Sequence, residues 1–254
     1  MLTPLDYTLI ALAALLAGVV NALAGGGTLI SFPALLALGV PPVVANITNT
    51  VALLPGYVGG MIGQAADLRG QGKRLLWFLP SSLIGGLIGA LLLLTTDEAL
   101  FEALVPWLIL VATALLAVQA PLRRWMRQRA GKAAGAALPL PLAVAGIVLA
   151  AIYGGYFGAG LSVIVLAVLG LLLDESLTRL NALKQGISFA VNSSAALYFL
   201  FSGHVLWTVA AIMAVGALLG GALGGRIAGR IPPDRLRAIV VGVGLVVGVV
   251  YLVR

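Results

Sequence analysis

Long apolar stretches recur along almost the whole of this 254-residue chain, and they constrain its fold more than any other feature. Most of them have the roughly 20 residues that an α-helix needs to cross the hydrocarbon core of a bilayer. They cover residues 7–24, 28–40, 44–65, 75–95, 100–120, 139–153, 158–173, 181–202, 205–225 and 235–253. Because lipid offers no partners to backbone polar groups, the sequence predicts an all-α polytopic membrane protein.

The composition excludes several other classes of protein. Hydrophobic residues make up 61% of the chain and charged residues only 9%, more apolar surface than one soluble core of this size could bury. The net charge of +7 comes from basic residues in short loops, so nucleic acid is not a predicted partner. Cysteine is absent. We therefore expect no disulfide or thiolate metal site, and we predict no catalytic residue, metal, cofactor or enzymatic activity.

Two glycine clusters interrupt apolar stretches at corresponding places in the two halves of the chain. The first contains Gly25, Gly26 and Gly27, and the second contains Gly158 and Gly160. A broken backbone at membrane depth is tolerated only where it faces protein or a wet cavity. Paired breaks of this kind are typical of the binding sites of secondary transporters.

The charges of the loops indicate how the two halves are oriented. Residues 69–74, 121–138 and 226–237 are rich in Lys and Arg, which places these connections in the cytoplasm. Residues 96–100 and 202–204 lack such residues and are expected outside. The halves then have opposite orientations, which predicts an inverted-topology repeat with two glycine-broken helical hairpins plus six plain transmembrane spans.

This interpretation treats residues 1–254 as a single membrane domain. Repeat one is 1–120, a basic cytoplasmic linker is 121–138, and repeat two is 139–254. The predicted location is the cell inner membrane, with multiple passes and both termini extracytoplasmic.

A stripe of polar residues follows the second hairpin with helical spacing. It consists of Asn181, Lys184, Gln185, Ser188 and Asn192. Polar groups at membrane depth are costly and usually face a cavity or another helix. An ammonium in such a cavity attracts anions, although Lys184 could instead extend to the cytoplasmic surface at the start of its helix.

The first half has a shorter version of the stripe, in which Asn46 and Asn49 share a helix face. At the breaks, backbone amides at the start of the next helix are expected to be free to bind an anion. Thr28 and Ser162 add hydroxyl donors. The predicted substrate-binding set is Asn21, Gly25, Gly26, Gly27, Thr28, Asn46, Asn49, Gly158, Gly160, Ser162, Asn181, Lys184, Gln185, Ser188 and Asn192.

These motifs resemble those of the TauE/SafE family of membrane permeases along essentially the whole chain. The resemblance rests on the segments 21–28, 32–39, 45–49, 154–160, 181–192 and 220–226. It implies a bacterial or archaeal inner-membrane transporter that exports sulfite or organosulfonates. One departure is the second break, which reads Gly158-Ala159-Gly160 where a continuous glycine run is frequent.

Together these observations lead to one functional hypothesis and two alternatives. We expect a secondary transporter that binds a small sulfur-containing oxyanion between the hairpin tips and works by alternating access. The alternatives are an anion channel and a permease for another small organic anion. The expected partners are the anionic substrate and the lipid bilayer, with a homo-oligomer as a further option.

Overall fold

The computed structural model describes the backbone of residues 2–130, 140–173, 175–227 and 233–253. Every regular element in these ranges is a helix. The helices are α1 Pro4–Leu23, α2 Thr28–Ala37, α3 Pro42–Gly63, α4 Ala65–Leu68, α5 Gly72–Thr95, α6 Glu98–Ala130, α7 Leu140–Tyr156, α8 Leu161–Leu172, α9 Leu177–Phe199, α10 Trp207–Ile227 and α11 Pro233–Val253. The predicted all-α fold is confirmed for this part of the chain.

The outer surface of the helices suits a lipid environment. In the described ranges, α1, α5, α10 and the segment Glu98–Gln119 of α6 are long and apolar enough to cross a membrane. Large apolar side chains such as Leu16, Trp77 and Leu219 are exposed on them. In water these side chains would be unfavourable, whereas lipid tails solvate them. The chain is thus organised as a membrane protein.

Glycines allow the helices to approach closely along two seams. On α5, a side chain at Gly86 would collide with the backbone of α9, and one at Gly89 with the backbone of α7. On α10, a side chain at Gly220 would collide with α1, and one at Gly221 with Gly56 of α3. Small residues at helix crossings increase van der Waals contact where no hydrophobic force drives association.

The helices pack in a regular pattern around a central pair. Helices α3 and α9 contact each other at the centre. Helix α10 packs on α1 and α3, whereas α5 packs on α7 and α9. Helix α6 packs on α11, and it also contacts both α2 and α8.

Both predicted breaks are present as helix interruptions. Helix α1 ends at Leu23, and Gly25 and Gly26 have positive φ values of 80° and 91° before α2 begins. In the second half, Gly158 and Gly160 have φ values of 77° and 82° between α7 and α8. Only glycine adopts this backbone conformation without strain, which explains the two clusters.

Among the predicted helix boundaries that differ from the structure, two bear on the site and on the linker. Helix α9 begins at Leu177 rather than near 181, because the Ser176 side chain accepts a hydrogen bond from the Arg179 amide and caps the helix. The polar stripe therefore starts after the first turn. Helix α6 continues to Ala130, into the segment predicted as a linker, and residues 131–138 lie outside the described residues.

Two ends of the molecule differ in charge. We call the end with Asp6, Glu98 and Glu102 the acidic end, and the end with Arg74 and Arg179 the basic end. At the acidic end, the connection between α2 and α3 lies beside two surface cavities of about 830 and 870 Å³. At the basic end, Glu175 forms ion pairs with Arg74 at 2.6 Å and with Arg179 at 2.8 Å.

Candidate functional site

The polar stripe of α9 is buried inside the helix bundle. Lys184, Gln185 and Ser188 have no exposed surface, while Asn181 and Asn192 are 7% and 4% exposed. Lys184 therefore does not extend to the surface, and the alternative that it lies at the cytoplasmic surface is wrong for this conformation. The stripe is opposed by α3, because a side chain at Gly60 would collide with the Gln185 amide nitrogen.

Three polar side chains satisfy backbone carbonyls at the broken end of α1. Lys184 Nζ donates to the Asn21 carbonyl at 3.1 Å, and Asn181 Nδ2 donates to the Ala22 carbonyl at 2.8 Å. Gln119 Nε2 donates to the Ala24 carbonyl at 2.6 Å. The last carbonyls of a helix lack intrahelical partners and carry partial negative charge, so the ammonium of Lys184 is well placed here.

Hydrogen bonds also link these groups to one another. Asn181 Oδ1 accepts from Lys184 Nζ at 2.8 Å, and Asn181 Nδ2 also donates to Gln64 Oε1 at 2.9 Å. The side chain of Asn181 therefore connects α9 with α1 and α3. Because a buried donor or acceptor without a partner is costly, this network fixes the position of the first break.

The amides of the first glycine cluster are mostly engaged within the protein. The Gly27 amide donates to Asn21 Oδ1 at 2.7 Å, and the Gly25 amide donates to the Val20 carbonyl at 2.8 Å. The expectation that all these amides are free is therefore wrong for this conformation, because the Asn21 side chain and the α1 backbone satisfy two of them. Thr28, at the first position of α2, is buried.

The second break is held by a residue from the first half of the chain. Asn46 Nδ2 donates to the Tyr156 carbonyl at the end of α7, at 2.8 Å. Asn46 therefore binds a backbone carbonyl at the end of α7, as Asn181 binds one at the end of α1. Gly158 and Gly160 lie between Tyr156 and the start of α8.

The two hairpin tips touch each other. A Cβ built on Gly25 would lie 2.5 Å from the Cβ of Ser162, which is on the first turn of α8. The rings of Phe32 on α2 and Phe157 at the second break pack edge to face, with centroids 5.3 Å apart. The predicted proximity of the tips is present, but in this conformation they leave no space for a ligand between Gly25 and Ser162.

Several buried polar atoms on α3 and α9 have no hydrogen-bond partner. Among the described residues of these two helices, they are Asn46 Oδ1, Asn49 Oδ1, Ser188 Oγ, Ser193 Oγ and both polar atoms of the Gln185 side chain. Asn192 differs from these, since its Nδ2 donates to the Ser188 carbonyl at 2.8 Å. Buried polar atoms without partners are uncommon in folded proteins, and each calls for a specific explanation such as a ligand or an ion.

Three residues outside the predicted set belong to the same network. Gln64 accepts from Asn181, and Gln119 binds the first break. Arg237, only 4% exposed, donates to Gln119 Oε1 at 3.0 Å. One signal in the sequence could have found two of them, since a single glutamine stands near the end of an apolar stretch at each of positions 64 and 119. Arg237 carries no such signal, because its position in a basic loop predicts only a loop charge.

The ion pairs at the basic end change the pKa of the Glu175 carboxyl. The hydrogen bond from Arg74 lowers the pKa of the Glu175 carboxyl below its ordinary value of 4.5, and the charge of Arg179 acts in the same direction. These contacts fasten α5 to the connection between α8 and α9. Gln71 strengthens the junction, because its Nε2 donates to the Arg179 carbonyl at 2.9 Å.

Comparison with known proteins decides the family. The family model described as "Sulfite exporter TauE/SafE" matches residues 10–251, nearly the whole chain. The chain belongs to the TauE/SafE family. The resemblance seen in the motifs is thereby confirmed, and the TauE/SafE family is a family of membrane transporters.

Curated relatives agree with this assignment. The chain is 30% identical over 209 residues to a "Probable membrane transporter protein" of Haemophilus influenzae, covering 80% of this chain and 78% of the relative. It is 29% identical over 208 residues to "Probable membrane transporter protein ORF9" of a Sinorhizobium species, with coverage of 82% and 77%. It is 27% identical over 224 residues to "Probable membrane transporter protein YfcA" of Escherichia coli, with coverage of 87% and 80%. No solved structure matches the chain.

Proposed function

We propose that this TauE/SafE protein is a secondary transporter that exports small sulfur-containing oxyanions such as sulfite or organosulfonates. The family description names sulfite export, and the relatives are named as membrane transporters. The observation that carries the proposal is the group of buried, unpartnered polar atoms on Asn49, Gln185 and Ser188. They are an available set of hydrogen-bonding groups in an otherwise apolar bundle.

The chemistry of this set suits an oxyanion. Among the unpartnered atoms, Gln185 Nε2 and the Ser188 hydroxyl supply N–H and O–H donors for its oxygens. Lys184, one helix position from Gln185, supplies a positive charge whose attraction is strong in a medium of low dielectric. The start of α8, with Ser162, adds backbone donors and a partial positive charge.

Substrate binding in this proposal requires the hairpin tips to separate. Gly25 and Ser162 are in contact, so the conformation described here is one in which the tips are closed. Binding then selects a conformation in which the amides at the breaks and the polar atoms of α3 and α9 face a common space. Alternating access follows when that space opens to each side of the membrane in turn.

We further propose an inverted repeat, with both termini outside and the basic end in the cytoplasm of a bacterial inner membrane. The packing supports it, since exchanging the two halves converts α10 on α1 and α3 into α5 on α7 and α9. The hydrogen bonds of Asn181 to Ala22 and of Asn46 to Tyr156 are exchanged in the same way. The basic loops support the orientation.

Counterflow in proteoliposomes tests the transport proposal. Vesicles are loaded with unlabelled sulfite, and uptake of radiolabelled sulfite is measured with taurine, sulfoacetate, thiosulfate and sulfate as competitors. A carrier accumulates labelled sulfite inside the vesicles against the gradient of the label. This happens because each outward movement of unlabelled sulfite leaves an empty binding site that faces the outside and can take up label. An anion channel equilibrates the label without accumulation.

Each result has a defined meaning. Accumulation of labelled sulfite that competing organosulfonates reduce is the expected outcome. Rapid equilibration without accumulation would favour the channel. Accumulation of another organic anion, with no effect of any sulfur oxyanion, would favour a permease of different specificity and overturn the proposed substrate.

A further inference from the structure

A chain of two hydrogen bonds connects α11 to the first hairpin break through α6. Arg237 Nε on α11 donates to Gln119 Oε1 on α6 at 3.0 Å. Gln119 Nε2 then donates to the carbonyl of Ala24 at 2.6 Å. Both side chains are buried, at 4% and 1% exposed, so water does not compete for these bonds.

The orientation of the Gln119 amide is fixed by its two neighbours. A guanidinium only donates hydrogen bonds and a backbone carbonyl only accepts them. Gln119 must therefore turn its oxygen to Arg237 and its nitrogen to Ala24. Loss of either neighbour would remove the constraint that keeps the other bond in place.

Helix α6 contacts both hairpin tips on the turns that precede Gln119. Leu116 packs against Gly26 of the first break, with a side-chain carbon 3.1 Å from the position of a Cβ on that glycine. Leu115 and Ala112 pack against Gly160 of the second break. A short stretch of one helix therefore sets where both tips lie.

We propose that Gln119 and Arg237 are positioning residues that hold the local backbone shape of the first hairpin break, a shape that the break keeps when the tips separate to admit substrate. They act through the carbonyl of Ala24 and do not touch the substrate. The inference rests on the proposed transport function, because it assigns to that same site the residues that maintain its geometry. When the pair is broken, a smaller fraction of molecules has this shape at the break and can bind substrate. The apparent dissociation constant for the substrate then rises by the reciprocal of that fraction.

The kinetic test compares four variants with the wild type in proteoliposomes. Gln119→Leu removes both bonds, Gln119→Glu keeps the contact with Arg237 but loses the donor to Ala24, and Arg237→Gln removes the guanidinium. Arg226→Gln, on the last turn of α10, is the control. For the first two variants we expect the KM for sulfite to rise about tenfold or more while Vmax changes less, since binding competence rather than turnover is reduced.

A double variant tests whether the two residues act as one chain. Gln119→Leu combined with Arg237→Gln is expected to have the same KM as Gln119→Leu alone, because the second change breaks a bond that is already lost. KM values that multiply would overturn the proposal, since they would mean that Arg237 acts independently of Gln119. Wild-type KM in Gln119→Glu would overturn it as well.

A thiol-labelling measurement keeps the inference testable without transport. The chain has no cysteine, so Ala24→Cys introduces a single thiol at a buried position of the break. A membrane-permeant maleimide is expected to label it faster when Gln119→Leu is added, and at an unchanged rate when Arg226→Gln is added. Faster labelling in a protein that does not transport sulfite would refute the proposed substrate but support the positioning role. Equal labelling rates in all three backgrounds would refute the positioning role itself.

Discussion

The buried polar residues of this transporter divide into two kinds according to their partners. Lys184 and Asn181 bond to carbonyls at the end of α1, whereas Gln185 and Ser188 leave polar atoms without partners. The periodicity of the sequence predicted that these four residues share one face of a helix. The periodicity could not predict which of these residues have hydrogen-bond partners and which do not. That difference depends on where the end of α1 lies relative to α9.

Replacing Lys184 is expected to weaken the fold as well as transport. Lys184→Met leaves the carbonyl of Asn21 and Oδ1 of Asn181 buried without this donor, and a hydrogen bond from a charged group contributes about 1.5–3 kcal/mol. We expect a Tm several degrees lower in detergent and loss of sulfite uptake. The control is Lys73→Met, at an exposed position, which should leave both unchanged. An unaltered Tm for Lys184→Met would show that these bonds do not stabilise the break.

At the scale of the helices, glycine has two functions, of which the sequence analysis predicted the first. Clusters at 25–27 and 158–160 interrupt helices, whereas glycines such as Gly86 and Gly221 lie inside helices at close crossings. The extent of α6 was not predicted. Its last turns are rich in Arg and Gln, which indicated a loop by charge, yet these residues have high helix propensity and allow the helix to continue beyond the apolar segment.

Substitution in a glycine seam tests the helix packing. A methyl group at Gly221 would collide with the carbonyl oxygen of Gly56, whereas one at Gly242 meets open space. Gly221→Ala is expected to lower the Tm markedly, since backbone cannot move aside without separating α10 from α3. Gly242→Ala should change stability by no more than about 1 kcal/mol, the usual difference between Gly and Ala in a helix. Equal Tm values for the two variants would contradict this packing.

The ion pairs at the basic end predict a pH dependence for the helices they join. Because the folded pKa of Glu175 lies below its ordinary value, its contribution to stability is fully present above pH 4.5 and is lost as the pH falls below that value. The Tm difference between wild type and Glu175→Gln should therefore be largest near neutral pH and shrink towards pH 3. Glu102→Gln, at the opposite end, is the control. A Tm difference between wild type and Glu175→Gln that grows as the pH falls would contradict the predicted lowering of the Glu175 pKa.

For the molecule as a whole, the sequence predicted the all-α membrane fold and the family, and it could not predict the contacts between the two halves of the chain. The hydrogen bond of Asn46 to Tyr156 joins residues 110 positions apart, and that of Asn181 to Ala22 joins residues 159 apart. Such pairings follow from how the helices pack and not from local spacing. This is why the sequence analysis predicted Asn46 and Asn181 as substrate-binding residues but did not predict that each one caps the break in the other half of the chain.

The proposed orientation predicts which loops can be labelled from outside the cell. Single cysteines are introduced at Asp97 and at Lys73, which lie at the acidic and basic ends of α5 in a chain without cysteine. A membrane-impermeant maleimide added to intact cells should label Asp97→Cys and not Lys73→Cys. Both should react after the membrane is permeabilised. The reverse pattern in intact cells would place the basic end outside and contradict the inverted repeat as oriented here.

The most direct test of the account concerns Gln185, whose side chain is fully buried and has no hydrogen-bond partner. Sulfite uptake and Tm are measured on the same preparations of wild type, Gln185→Leu and the control Ser82→Ala, whose hydroxyl already bonds to the carbonyl of Phe78. If Gln185 binds substrate, Gln185→Leu loses uptake by about tenfold or more while its Tm is unchanged or higher, since no existing bond is broken. Ser82→Ala should retain uptake. Wild-type uptake kinetics in Gln185→Leu would contradict the proposal that the polar interface of α3 and α9 binds the transported anion.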